Sequence, residues 1–301
     1  MNIILNGWDI YQTIQSRLLG KTGYYQSGGA YGFRDQLRDT LGLKYLDAEI
    51  MKNQIIKHSE HQFLEGDVEH WWHEETGRGI RTKFSDDLLW LVYLTCEYIE
   101  FTGDYSILEE QTPYLIGKEL EENEDERYDK FESAKETGSI YEHCVRAIER
   151  SINFGENGLP KIGSGDWNDG FSNVGPKGKG ESVWLGFFLY NVLDRFTKIM
   201  ENAPNKDELE EEQKNENNNL KEENIESKIE KYKTIMQQLK KSLNTNGWDG
   251  RWFKRAFMDD GNTLGSMEND ECRIDSIAQS WSTISNAGDN DKKYYFLLHL
   301  I

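Results

Sequence analysis

Apolar residues spaced at about 3.6 positions, the repeat of an amphipathic helix, recur in segment after segment of this chain, with long glycine- and aromatic-rich loops between them. A helix that is apolar along one face must bury that face against another element, so the pattern restricts the fold to an assembly of paired helices. Asn6 to Leu19 carries Trp8, Ile10, Tyr11, Ile14, Leu18 and Leu19 on this spacing. Gly28, Gly29 and Gly32 delay the next helix until about Phe33, and Asp47 to Phe63 reads as helical again. Leu88 to Phe101 is a strongly apolar helix, terminated by Gly103 and Asp104. Ile107 to Ile116, Ile140 to Ile152, Ser182 to Met200 and Ile235 to Leu243 continue the series, and a last helix begins near Ile274. Strand-like alternation is weak throughout, so the expected class is all-α.

The 301 residues read as one domain, 1–301, with residues 201–230 as an acidic, flexible insertion in which Glu, Lys and Asn predominate. A net charge of −19 argues against nucleic acid, because a phosphate backbone has to be met by clustered Lys and Arg. Cys96, Cys144 and Cys272 are odd in number and show no CxxC spacing, which argues against a disulfide framework or a zinc ribbon. The amino end has no basic region and no small-residue cleavage site, and no apolar run reaches the roughly eighteen residues of a membrane span. The expected location is the cytoplasm.

One loop is built like a binding site. Gly163 to Trp184 places Asp166, Trp167, Asn168 and Asp169 in sequence between Gly165 and Gly170. Flanking glycines allow a tight bend that projects the four side chains together. An indole face stacks on the C–H face of a sugar while short acids and amides hydrogen-bond its hydroxyls, and a carboxyl beside an indole is partly desolvated, which favours a proton donor. The other reading is a helix-connecting turn with its Trp pinned to the core, since Asp, Asn and Gly are ordinary turn residues.

Three other motifs carry no such chemistry. His70 and His73 with Glu74 and Glu75 lack the HExxH spacing of a zinc site. GPKGKGES lacks the spacing of a phosphate loop, and DDGNTLGSMENDE lacks the alternating ligands of a calcium loop. No metal and no organic cofactor is expected.

Several long motifs in order, YQSGGAYGFRDQLRD, EGDVEHWWHEETGRGIRTKFSDDLLWL, GDWNDG followed by GKGESVW, and RAFMDDGNTLGS with ECRIDSIAQSW, resemble the inverting β-glucoside phosphorylases of glycoside hydrolase family 94. The resemblance covers nearly the whole chain apart from the acidic insertion. It implies an (α/α)6 barrel, a toroid of helix pairs, with the active site at one end. It implies Asp169 as the general acid, Trp167 lining the sugar site, and Asp35 with Arg34 binding the non-reducing-end sugar. The substrates it implies are a β-linked gluco-oligosaccharide and inorganic phosphate as co-substrate, with homodimers common. Relative to the family pattern, the amino-terminal β-sandwich and carboxy-terminal segments are missing, so the chain is expected to be a fragment with an incomplete barrel.

Cleaving a glycosidic bond requires a proton for the departing oxygen and a nucleophile on the opposite face of the anomeric carbon. A phosphorylase supplies the nucleophile as phosphate and needs a cationic pocket to hold it, for which Arg78, Arg81 and Arg34 are candidates; ion pairing to Asp86, Asp87 or Asp35 is the alternative role of each. Cellobiose-type members carry a phosphate-contacting His shortly before the position of Trp281, whereas this chain reads IDSIAQSW. A hydrolytic variant with Asp86, Asp87, Asp259 or Asp260 as base therefore stays open, as does a non-catalytic glucan-binding fragment.

Overall fold

A computed structural model of the chain describes residues 3–21, 28–204 and 224–292. These residues divide into two compact units, one made of residues up to 83 with 87–150, the other of 84–86 with 151 onward.

In the first unit the helices Phe33–Leu43, Ala48–Ser59 and Asp87–Thr102 pack on one another. Asp47 caps the second by accepting the Glu49 N–H at 3.0 Å. Asp87–Thr102 is apolar on nearly every side, with Leu88, Leu89, Trp90, Leu91, Val92 and Leu94 buried, as the helix at the centre of a core must be. It stops where Gly103 adopts φ +73 and returns its N–H to Ile99. The amino-terminal helical segment contains π-helical turns, Ile4–Asp9 and Thr13–Leu19, on either side of Ile10–Gln12. Of its apolar stripe only Leu18 is buried, and the Leu18 carbonyl accepts the Tyr31 hydroxyl at 2.8 Å.

In the second unit Val183–Asn202 packs against Ile225–Thr245 and Ser276–Ile284. Their starts are capped by Ser182, Asn224 and Asp275 in turn. Residues 205–223 of the expected insertion lie outside the described residues. Its last turn is helical, with Ile225 and Ile229 buried. Among the described residues no helix is long and apolar enough to cross a membrane.

The all-α expectation needs correcting, because the helix-rich chain also forms three small antiparallel sheets. The first unit holds a four-stranded sheet in the order Tyr31–Gly32, Glu69–His73, Arg78–Thr82, Glu126–Asp129, and a pair formed by Gln111–Ile116 with Glu132–Ser139. The second unit holds Glu181–Ser182, Ala256–Phe257 and Thr263–Leu264. Two of these pairings contain register shifts, at Glu69/Trp71 and at Pro113/Leu115, and a bulge breaks the two-residue alternation that marks a strand in sequence. The segment 107–116, read as helix, is a 3-10 turn Tyr105–Glu109 followed by strand Gln111–Ile116. Pro113, which lacks an N–H, sits beside that bulge.

Candidate functional site

The aspartate-rich loop lies in the second unit and is shaped by close approach. Gly163 adopts φ +61, and a side chain at Gly165 would sit 2.4 Å from the Phe84 ring. The Ser85 hydroxyl donates to the carbonyls of Ile162 at 2.9 Å and Gly165 at 3.0 Å, fixing the entry to the bend. Asn168 then turns the chain into a 3-10 turn, Asp169–Phe171, by accepting the Gly170 N–H at 2.9 Å.

The two carboxylates of the tetrad take opposite environments. Asp166 is fully buried, accepts the Ser182 hydroxyl at 2.6 Å, and is gripped by both Nη atoms of the buried Arg255 at 2.6 Å each. Asp169 is exposed, three residues on. Trp167 is half-buried, with its ring 6.4 Å from that of Trp184. Asp166 is thus a structural anchor, Trp167 is partly exposed, and Asp169 is exposed on the turn.

Arg255 was not among the residues picked out from the sequence, although it opens the motif RAFMDDGNTLGS. Its guanidinium also lies 4.6 Å from the Phe171 ring and its Nε 3.3 Å from Asp275. Four residues later, Asp259 accepts backbone N–H groups from Lys177 at 2.6 Å, Lys179 at 2.8 Å and Gly180 at 2.9 Å. Burial acts to raise its pKa, but those three donors and the Lys177 charge leave it below the usual carboxylate range. Asp260 accepts the N–H and side-chain amide of Asn262. Asp86 is fully buried.

The residues of GFRD lie in the first unit. Asp35 sits in the first turn of Phe33–Leu43, partly exposed, 3.8 Å from Arg17. Arg34 is buried and 3.7 Å from Asp87, whose other oxygen is 2.7 Å from His70 Nδ1. Burial alone would raise the Asp87 pKa, but His70 and Arg34 outweigh it and hold the carboxyl low. His70, read from the sequence as a sugar-site or core residue rather than a metal ligand, thus pairs with the buried Asp87, which also faces Arg34. Among the described residues no group of three or more His, Cys, Asp and Glu side chains gathers as a metal site would require.

The remaining arginines part company. Arg81 is fully buried and bonds Asp67 twice at 2.7 Å, Glu65 at 3.0 Å and the Gly117 carbonyl at 3.0 Å, an ion-paired role with partners other than the Asp35, Asp86 or Asp87 expected for it. Arg78 is exposed, with its guanidinium 5.8 Å from the Tyr128 ring.

A buried neutral pair also went unnoticed in the sequence. His61 Nδ1 lies 2.5 Å from Glu69 Oε2, and the His61 ring stacks on Trp72 at 3.7 Å. Burial pushes Glu69 up to about 8 and lowers His61 to about 3, so near neutrality the contact is a carboxylic acid bonded to an uncharged imidazole.

Comparison with known proteins bears on this geometry. The family model described as "Glycosyl hydrolase 94 superfamily, catalytic domain" matches residues 1–227 and 218–297. The chain is similar to a cyclic beta-(1,2)-glucan synthase NdvB of Rhizobium meliloti (strain 1021), at 41% identity over 292 residues, covering 97% of this chain and 10% of that protein. It is 28% identical to a solabiose phosphorylase of Paenibacillus borealis over 87% of this chain and 29% of the relative. It is 21% identical to an N,N'-diacetylchitobiose phosphorylase of Vibrio furnissii over 95% of this chain and 34% of the relative. The chain thus spans between a tenth and about a third of the length of these proteins.

Proposed function

The chain belongs to the glycosyl hydrolase 94 superfamily, and on that basis we propose that it carries the catalytic region for inverting phosphorolysis of β-linked gluco-oligosaccharides. Asp169 delivers its proton to the glycosidic oxygen as the bond to the anomeric carbon breaks. A phosphate oxygen attacks that carbon from the opposite face, so a β-linkage yields α-glucose 1-phosphate and a chain one unit shorter. Asp35 and Arg34 hold the terminal sugar, Trp167 stacks on it, and Arg78 is the cation left exposed to meet phosphate. The (α/α)6 toroid, a cytoplasmic location and a homodimer belong to the same proposal.

The observation that carries this reading is the division of labour in the tetrad: Arg255 holds Asp166, and Asp169 is exposed on the turn that follows. The aspartates considered as hydrolytic bases favour phosphate over water. Asp87 is held by His70 and Arg34, Asp259 by three backbone amides, Asp260 by Asn262, and Asp86 is buried.

Phosphate-dependent release of glucose 1-phosphate from sophoro-oligosaccharides tests it. Asp169→Asn is expected to keep oligosaccharide affinity and lose about 10²- to 10⁴-fold in turnover, the usual contribution of a general acid. Wild-type turnover by the variant would remove Asp169 from that role. Release of free glucose without phosphate would favour the hydrolytic alternative.

A further inference from the structure

The four-stranded sheet of the first unit has two unlike faces. On one, Trp72 is buried and stacks on Tyr31 at 5.4 Å and 13°. The opposite face carries a row set by register, in which Gly32 pairs with Trp71, Trp71 with Ile80, and Ile80 with Tyr128. His73 and Arg78 form the next row on the same side. Ile80 is the buried floor of this row, Trp71 and His73 are partly exposed, and Tyr128 is 47% exposed. The Trp71 and Tyr128 rings are 5.5 Å apart at 40°, and His73 lies edge-on to Trp71 at 5.4 Å.

We propose that Trp71, Tyr128 and His73 form an accessory platform for glucosyl units of a β-linked gluco-oligosaccharide, beyond the terminal unit held at Asp35. The proposal rests on the functional reading above and extends it. Two tilted aromatic faces over an aliphatic floor offer stacking surface to pyranose C–H faces. The indole N–H, the phenol and the imidazole surround that surface with groups that can hydrogen-bond hydroxyls. An uncharged polyhydroxyl chain suits the place better than an anionic polymer, because Glu126 lies on the same side of the strand as Tyr128.

Placement joins the platform to the sugar-binding motif. Trp71 is the register partner of Gly32, and the helix bearing Arg34 and Asp35 begins at the next residue, Phe33. Gly32 has no side chain to cover the indole from that edge. Gly28 lies beside His73, where an added Cβ would meet the ring at 4.0 Å.

The test compares KM for sophorose with KM for sophoro-oligosaccharides of four or more units in the wild type, Tyr128→Ala, Tyr128→Phe and Trp71→Ala, with calorimetric binding of the same sugars. Tyr128→Ala should raise the long-to-short KM ratio roughly five- to tenfold, the loss of one aromatic contact, with kcat little changed. Tyr128→Phe, which keeps the ring, should restore the ratio. An unchanged ratio in both alanine variants overturns the platform while leaving the phosphorylase reading intact. If the wild type phosphorolyses no β-linked sugar, that reading fails and calorimetry alone decides: equal glucan affinity in wild type and Tyr128→Ala, or none in either, overturns the platform.

Discussion

Arg255 holds both carboxylate oxygens of Asp166, Nη1 to Oδ2 and Nη2 to Oδ1, each at 2.6 Å, with neither side chain open to solvent. The same Asp166 oxygen accepts from Ser182 Oγ, and Ser182 Oγ accepts the Leu185 N–H to cap Val183–Asn202. One buried ion pair thus ties the tetrad, a helix start and the strand entered at Ala256 into a single unit.

Removing one member of that pair should be far worse than removing both. Arg255→Met strands a carboxylate in a dry site, at a cost of about 3–5 kcal/mol, and Asp166→Leu does the same to the guanidinium. The double variant is expected to cost well under the sum, because no unpaired charge remains. Urea unfolding of the four proteins measures the coupling, and additive costs would show that the pair is not acting as a unit.

Asp259 organises the loop Lys177–Gly180 from a distance in sequence, so Asp259→Ala should loosen that loop and cost about 1–2 kcal/mol, kept modest by its partial exposure. Its folded pKa lies below the ordinary 3.8, so its contribution is complete above that value and disappears as pH falls through the depressed one. Wild type and variant should therefore converge in stability only in strong acid. A gap that closed near neutral pH would contradict this.

Glu69 works in the opposite sense. With its pKa raised by burial from 4.5 to about 8, the folded state keeps a proton that the unfolded chain gives up, so its contribution falls as pH rises between those values, on the order of a few kcal/mol in all. His58, His61 and His143, lowered by burial from 6.5 to about 3, oppose this by favouring the folded state as pH rises toward 6.5. The difference between Glu69→Gln and wild type isolates the carboxyl. The amide keeps a donor for His61, and its advantage should grow steadily from pH 5 to pH 8. A constant difference across that range would mean that Glu69 is already ionised in the folded protein.

Local chemistry alone settled much of this chain. Gly103 ends one helix, Asp47 and Ser182 start two others, and the glycines before Phe33 hold off a third, because caps and positive φ are properties of a few consecutive residues. The tetrad was legible as a bend with chemistry in it for the same reason. Sequence patterning did not reveal the sheets, whose partners meet across long separations and whose bulges erase the alternation. Nor could it say which aspartate of the tetrad is buried. That was decided by Arg255, 89 residues away in the chain, which neutralises Asp166 in the interior and leaves Asp169 at the surface. Arg78 and Arg81 make the same point three positions apart: only the arrival of Asp67, Glu65 and Gly117 around one of them fixes it as structure and leaves the other exposed, since a charge's role depends on which distant groups desolvate and pair it.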